Sequence, residues 1–328
     1  MHDDHDFDPN AAATGKGIFG LPERADARIR LLGVPFEATT SFGGGTREGP
    51  RLMLEASQQV DLLDAHFASV WRHGIVLEAL DTGPTQSIAE LDEEARASQD
   101  PDHVQELSAA RTSLVEAWTR ATFANGQIPG ILGGDHSCPL GAMRVAAQDE
   151  ALSILHFDAH HDLREAYGGV RESHASIFRN VLEDCPRVER LVQLGIRDYC
   201  EEEVDFARQQ GERVFVSYAS DVAARRFRGA SFASIVDEAL AKLGERVWVS
   251  FDIDGLDPAY CPGTGTPVPG GLSFDEACFI LVALRESGRR TIGFDLCEVA
   301  GTAWDANVGA RLVYKLCGLA AASTNGRA

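Results

Sequence analysis

The sequence predicts an α/β protein, a mostly parallel sheet of about eight strands covered by helices on both faces. Three observations predict it. Apolar, β-branched runs of strand length alternate with segments whose apolar residues recur every three or four positions. No internal repeat, low-complexity linker or block of like charge divides the 328 residues. The composition, 44% hydrophobic and 24% charged, is that of an ordinary globular chain.

The elements follow in order. "RIRLLG" (28–33) is the first expected strand, and "LMLEASQQVDLLDA" after it has helical spacing. "GIVLEAL" (74–80) is the second strand, followed by the long helical pattern "HVQELSAARTSLVEAWTRATFA". "IPGILG" (128–133) is apolar and short, although its proline removes one ladder donor. "LSILHF" (152–157), "RLVQLG" (190–195) and "RVFVSY" (213–218) are strand-like runs. The helical pattern "FASIVDEALAKL" leads to "RVWVSF" (246–251), and "SFDEACFILVALRES" leads to "RTIGFD" (290–295). One domain is expected over 28–322, with 1–27 a partly disordered extension and 323–328 a tail.

Composition narrows the function. The net charge of −20 disfavours nucleic acid and anionic membranes as partners, and it suits a cationic substrate or metal ions as well as solubility. The start "MHDDHDFDPN" lacks the basic and apolar regions of a signal peptide, and no apolar run is long enough to span a membrane. Its "HDDHD" could hold a metal adventitiously, but a solvated terminus is the ordinary reading. Seven cysteines stand singly, which points to reduced thiols and a cytoplasmic location. Cys138, Cys261 and Cys297 lie near strand ends, where nothing in their spacing supports thiolate ligation, so they are expected as small buried hydrophobes.

Parallel sheets bind ligands beyond the carboxyl ends of their strands. Three of those ends carry unusual chemistry. "GGDHSCPLG" follows 128–133, and its paired glycines allow a sharp turn before His136. Asp158, His160, His161 and Asp162 follow 152–157. Asp252 and Asp254 follow 246–251 and open a loop rich in proline and glycine. A lone Asp-x-Asp is a common turn or helix cap, and a single strand-end cluster is weak. All three at strand ends of one sheet are hard to explain as structure alone. His136, Asp158, His160, Asp162, Asp252 and Asp254 are therefore candidate metal ligands. Four carboxylates in one crevice repel unless divalent cations sit among them. Oxygen ligands with some imidazole suit Mn²⁺. Two such ions about 3.5–4 Å apart can hold a hydroxide as a nucleophile for hydrolysis. Asp158, His160 and Asp162 alternate, so an extended exit turns them to one side and His161 to the other.

These motifs resemble those of the ureohydrolase family, which includes arginase and agmatinase. "GGDHS", "DAHHD" and "SFDIDGLDP" match the family's metal signatures in order and spacing, and "PGTGTPVPGGL" resembles the agmatinase-like branch. The likeness runs from "GVPFEATTSFGGGTREGP" to "CEVAGTAWDANVGAR". It implies a three-layer α/β/α sandwich, two Mn²⁺ ions, release of urea from a small cationic guanidino substrate, and a homotrimer or homohexamer. It also implies ligand sets: His136, Asp158, Asp162 and Asp252 for one ion, and Asp158, His160, Asp252 and Asp254 for the other. Asp162 would also move the nucleophile's proton. His174, in "ESHASIF", matches the family's proton-transfer histidine, against the reading of an ordinary surface histidine. Glu298, in "FDLCEV", matches the glutamate that pairs with the guanidinium, against a structural ion pair.

The substrate's far end is less legible. The segment after the second motif, Leu163 to Tyr167, departs from the arginase pattern at Arg164, so agmatine is expected ahead of arginine. An Arg164 turned inward would repel agmatine's ammonium and favour 4-guanidinobutyrate or formiminoglutamate, whereas one turned outward, the ordinary place for arginine, says nothing. Free guanidine, with Ni²⁺, is a further option. A single-zinc deacetylase of the same fold and a non-catalytic paralogue are the readings from other classes. The six candidate ligands argue against both.

Overall fold

The computed structural model describes residues 7–13 and 17–323, so "HDDHD" lies outside the described residues. In chain order the elements are β1 (Ile29–Val34), α1 (Gly49–Ser57), β2 (Ile75–Leu77), α2 (Gly83–Ala97), α3 (Pro101–Ala124), β3 (Ile128–Gly133), α4 (Leu140–Ala146), β4 (Leu152–Phe157), α5 (Ile177–Asp184), β5 (Val188–Leu194), α6 (Glu201–Gln209), β6 (Val214–Ser217), α7 (Ala219–Phe227), α8 (Phe232–Leu240), β7 (Arg246–Asp252), α9 (Phe274–Glu286), β8 (Arg290–Cys297) and α10 (Ala303–Ala322). The strands form one eight-stranded sheet, β2-β1-β3-β8-β7-β4-β5-β6, and every pairing is parallel.

Period-two alternation divides the apolar residues between two faces. Leu155 and Phe157 of β4, Val249 and Phe251 of β7, and Phe294 and Leu296 of β8 pack toward α1, α8, α9 and α10. Ile154, Trp248 and Ile292 point the other way, toward α2, α3, α4, α5 and α6. This is the expected three-layer α/β/α sandwich. The two central layers of side chains exclude water from both faces, as near-continuous apolar strands require. Ile18, Phe19 and Leu21, well inside the N-terminal extension, are also buried.

Expected and observed elements differ in physically clear places. β2 is shorter than 74–80 because it is an edge strand whose pairing with β1 ends at Leu77. Pro129 is accommodated inside β3: the amide of Ile128 bonds the Arg28 carbonyl on the β1 side, and pairing with β8 begins only at Gly130, past the missing N–H. α1 ends at Ser57 rather than running to residue 65, and Asp64 instead caps a separate turn. Its carboxylate accepts the N–H groups of His66 and Phe67 and pairs with Lys315 of α10 at 2.8 Å.

Strand order brings the three motifs together. β3, β8, β7 and β4 are neighbours, so the segments after them meet at one edge of the sheet.

Candidate active site

Each motif is placed by its strand. Gly134 passes so close to the loop after β1 that a Cβ would lie 2.0 Å from the Phe36 carbonyl oxygen. Asp135 is a brace: one oxygen accepts the Thr39 hydroxyl at 2.7 Å and the other the Ser137 amide at 3.0 Å. His136 is turned inward to the carboxylates. Asp252 ends β7, and its Oδ1 accepts the Asp254 amide at 2.8 Å. Asp254 Oδ1 accepts the Ala159 amide at 3.0 Å, which ties the third motif to the second.

The six candidate ligands form two groups that share Asp158. His136 Nδ1 lies 3.0 Å from Asp158 Oδ2, 3.0 Å from Asp162 Oδ2 and 3.5 Å from Asp252 Oδ2. His160 Nδ1 lies 3.3 Å from Asp158 Oδ1 and 3.1 Å from Asp254 Oδ2. Asp252 joins the first group, and its other oxygen is held by the Asp254 amide. The side chains face as their parity predicts, but the backbone is not extended: Asp162 has φ 56°. His161 is buried on the far side, 2.7 Å from Gln193 Oε1 and 3.3 Å from the Tyr218 hydroxyl.

The electrostatics ask for cations. Burial, then Asp158, pushes the Asp162 carboxyl up to about 7. Burial, then Asp254 and Asp158, holds Asp252 well above the usual carboxylate range. Burial opposes charge on His136, but Asp158, Asp162 and Asp295 outweigh it and raise its pKa. His136 is oriented from behind. Ser250 donates to Asp295 Oδ1 at 2.9 Å, so its hydroxyl accepts from His136 Nε2 at 3.0 Å. Nδ1 is thereby aimed at three carboxylate oxygens. A single proton there answers one of them, whereas a divalent ion satisfies the whole donor set. The residues fit the expected metals.

A cavity of about 430 Å³ opens over these groups. It is lined by His136, His160, Asp162 and Asp252, and by the other expected site residues, His174, Glu298 and Arg164. Glu298 follows β8 with φ 63°, and its Oε1 accepts the His136 amide at 2.9 Å. Burial, then Asp135, raises its pKa well above the ordinary range. His174 is held by its amide on the Thr39 hydroxyl at 3.0 Å. Burial lowers its pKa, which favours the neutral imidazole.

A sequence model of the arginase family matches residues 27–320. The chain belongs to the arginase family. The N(1)-aminopropylagmatine ureohydrolase of Thermococcus kodakarensis is 35% identical over 285 residues, 86% of each chain. The guanidinobutyrase of Pseudomonas aeruginosa is 31% identical over 300 residues, 87% of this chain and 84% of that one. The solved proclavaminate amidinohydrolase of Streptomyces clavuligerus superposes with a TM-score of 0.75 at 24% identity, covering 95% of this chain and 99% of that one, and shows the same fold. The expected likeness to the agmatinase-like ureohydrolases is borne out, and the chain is a hydrolase of the arginase family. No helix among the described residues is long and apolar enough to cross a membrane.

Arg164 is half-buried and lines the cavity. Its guanidinium lies 5.3 Å from the centre of the Tyr167 ring, which in turn packs edge-on to His174. Phe42, Asp198, Tyr199 and Glu203 also line the wall, and none was expected from sequence. The other omission is His156, whose Nε2 is 2.8 Å from Asp158 Oδ2. A histidine at a buried strand position, two residues before a ligand and of equal parity, was the available signal. Cys138, Cys261 and Cys297 are buried free thiols, which agrees with packing roles.

Proposed function

We propose that this arginase-family hydrolase cleaves the guanidinium group of a small substrate to urea and an amine. The observation that carries the reading is the pair of carboxylate–imidazole groups sharing Asp158 beside Glu298, under one cavity. His136, Asp158, Asp162 and Asp252 would hold one divalent ion, and Asp158, His160, Asp252 and Asp254 the other, with Asp158 and Asp252 common to both. Mn²⁺ suits the oxygen-rich set, and Ni²⁺ is the second choice. Such a pair supplies Lewis acidity and lowers the pKa of the water it shares.

The protein groups do the rest. Glu298 spends Oε1 on the His136 amide, which leaves Oε2 to accept an N–H from the guanidinium. A bound cation also replaces the proton that a buried carboxyl otherwise keeps. Asp162, between the first ligand group and the cavity, accepts the nucleophile's proton and returns it to the leaving nitrogen. His174 at the wall relays a proton to the departing amine.

The far end of the substrate meets Arg164. Among the described residues no carboxylate pairs with Arg164, and its guanidinium is stacked on Tyr167. A carboxylate would complete the charge there, and an ammonium would be repelled. The geometry therefore supports an ω-guanidino acid such as 4-guanidinobutyrate ahead of agmatine, the first expectation from sequence. The similarity to a guanidinobutyrase supports that order. Agmatine stays as the second reading because Asp198 and Glu203 line the same cavity and the 35% identical relative is named for an agmatine derivative. We propose that the active form is a homotrimer or homohexamer in the cytoplasm. The test is urea release with Mn²⁺ or Ni²⁺ from 4-guanidinobutyrate, agmatine, arginine and guanidine, with formiminoglutamate followed by ammonia. Preference for 4-guanidinobutyrate is expected; preference for agmatine overturns the role given to Arg164, and no urea from any substrate overturns the function.

A further inference from the structure

A row of buried polar side chains crosses the sheet one step beneath the ligands. Gln193, His156, Ser250 and Asp295 are direct register partners on β5, β4, β7 and β8. All four are fully buried, among apolar neighbours that make an idle polar row costly. The Asp295 end orients His136 through Ser250. The other end holds His156, and distance alone does not give its role. Its ring nitrogen lies within ligand-forming reach of His136, Asp158 and Asp162.

We propose that Gln193 is a positioning residue that locks His156 in its Nε2–H form, so that His156 aims Asp158 by donating to it and is not itself a metal ligand. The proposal rests on the metal-centre reading of the site. One carbonyl sets the whole chain of donors and acceptors. The His161 carbonyl can only accept, and Gln193 Nε2 lies 2.8 Å from it. That sets the amide's orientation, so Oε1 faces His161 Nδ1 at 2.7 Å and accepts from it. The second amide hydrogen points at His156 Nδ1, 3.0 Å away, which must therefore be the bare nitrogen. The ring's proton then sits on Nε2, 2.8 Å from Asp158 Oδ2. A protonated Nε2 cannot ligate a metal. It can hold the one carboxylate common to both ligand groups, while the His160 amide holds the other oxygen at 2.6 Å. The His156 ring is also fixed by packing, 4.0 Å from the centre of the Phe178 ring.

The test uses the full-length protein. Binding of Mn²⁺ and Co²⁺ first establishes whether the wild type holds two ions per chain; fewer than two would overturn the metal-centre reading by itself. Histidine-selective ¹⁵N NMR of the metal-free and Zn²⁺-loaded wild type then reads the tautomer. Nε2–H for His156 in both states is expected, and an Nε2 bound to Zn²⁺, or a proton on Nδ1, would overturn the proposal. In Gln193→Met and His156→Phe, the Co²⁺ dissociation constant is expected to weaken about tenfold to a hundredfold. The Co²⁺ visible spectrum and the two-ion stoichiometry are expected to persist. Unchanged affinity, or loss of one ion from His156→Phe, would overturn it. The wild-type NMR measurement decides the matter even if a variant fails to fold.

Discussion

At the scale of single residues, two of the candidate site residues sit where the backbone is strained. Asp162 and Glu298 are two of the four described non-glycine residues with φ between +20° and +160°. Such a conformation costs about 1–3 kcal/mol and persists only where its surroundings hold it. The Asp162 carbonyl accepts the Phe178 amide at 3.1 Å, and the Glu298 carbonyl accepts the Thr264 hydroxyl at 2.9 Å. Asp158→Asn removes the charge common to both ligand groups and should abolish metal-dependent urea release; wild-type-like turnover would sink the two-metal reading. Arg164→Met should lower kcat/KM for 4-guanidinobutyrate about tenfold to a hundredfold, the ~1.5–3 kcal/mol of a charged hydrogen bond, and leave agmatine turnover unchanged or raised. Equal losses on both substrates would show that Arg164 reads neither tail. Asp92, away from the site, gives a pH effect. Burial pushes its carboxyl up to about 6, from 3.8 when exposed. The folded state then binds the extra proton between those values, so the Asp92 contribution to stability falls as pH rises from about 4 to about 6. In metal-free protein, Asp92→Asn should flatten that part of a plot of Tm against pH.

At the scale of elements, the site depends on two crossings of the backbone. Arg197 follows β5 and is spent on carbonyl oxygens, donating to Asp254, Leu256 and Val268 at 2.7, 3.1 and 2.9 Å. Its own amide bonds the Ala159 carbonyl at 2.7 Å. Arg197 thus ties the loop after β7, through its guanidinium, to the loop after β4, through its amide. Arg197→Lys keeps the charge but loses the planar fork. It should weaken Mn²⁺ binding and raise amide exchange over 254–268 while the sheet stays protected; unchanged exchange there would show the loop is held by other means. Gly134→Ala meets a main-chain oxygen that cannot move aside, and a loss of about 3 kcal/mol or more is expected by denaturant unfolding.

At the scale of the whole molecule, the buried acidic cluster couples metal to stability. Ions bound only by the folded state should raise Tm with concentration, by the equivalent of about 2.7 kcal/mol at a hundred times the dissociation constant. A Tm indifferent to Mn²⁺ and chelator would contradict a built site. Much of the protein was legible in one dimension. Strand-length apolar runs, helical spacing and ligand-type residues just after three strands depend on local pattern, because side-chain periodicity follows from backbone geometry. Sequence by itself determined the sandwich, the six candidate ligands and which of the two adjacent histidines turns inward. Tertiary structure alone decided that β3, β8, β7 and β4 lie side by side, that His156, Gln193, Ser250 and Asp295 share one row, and that Arg164 lines the cavity with Tyr167. The physical reason is distance along the chain. Gln193 meets His156 across 37 positions and Ser250 meets His136 across 114, and only strand register sets such pairs.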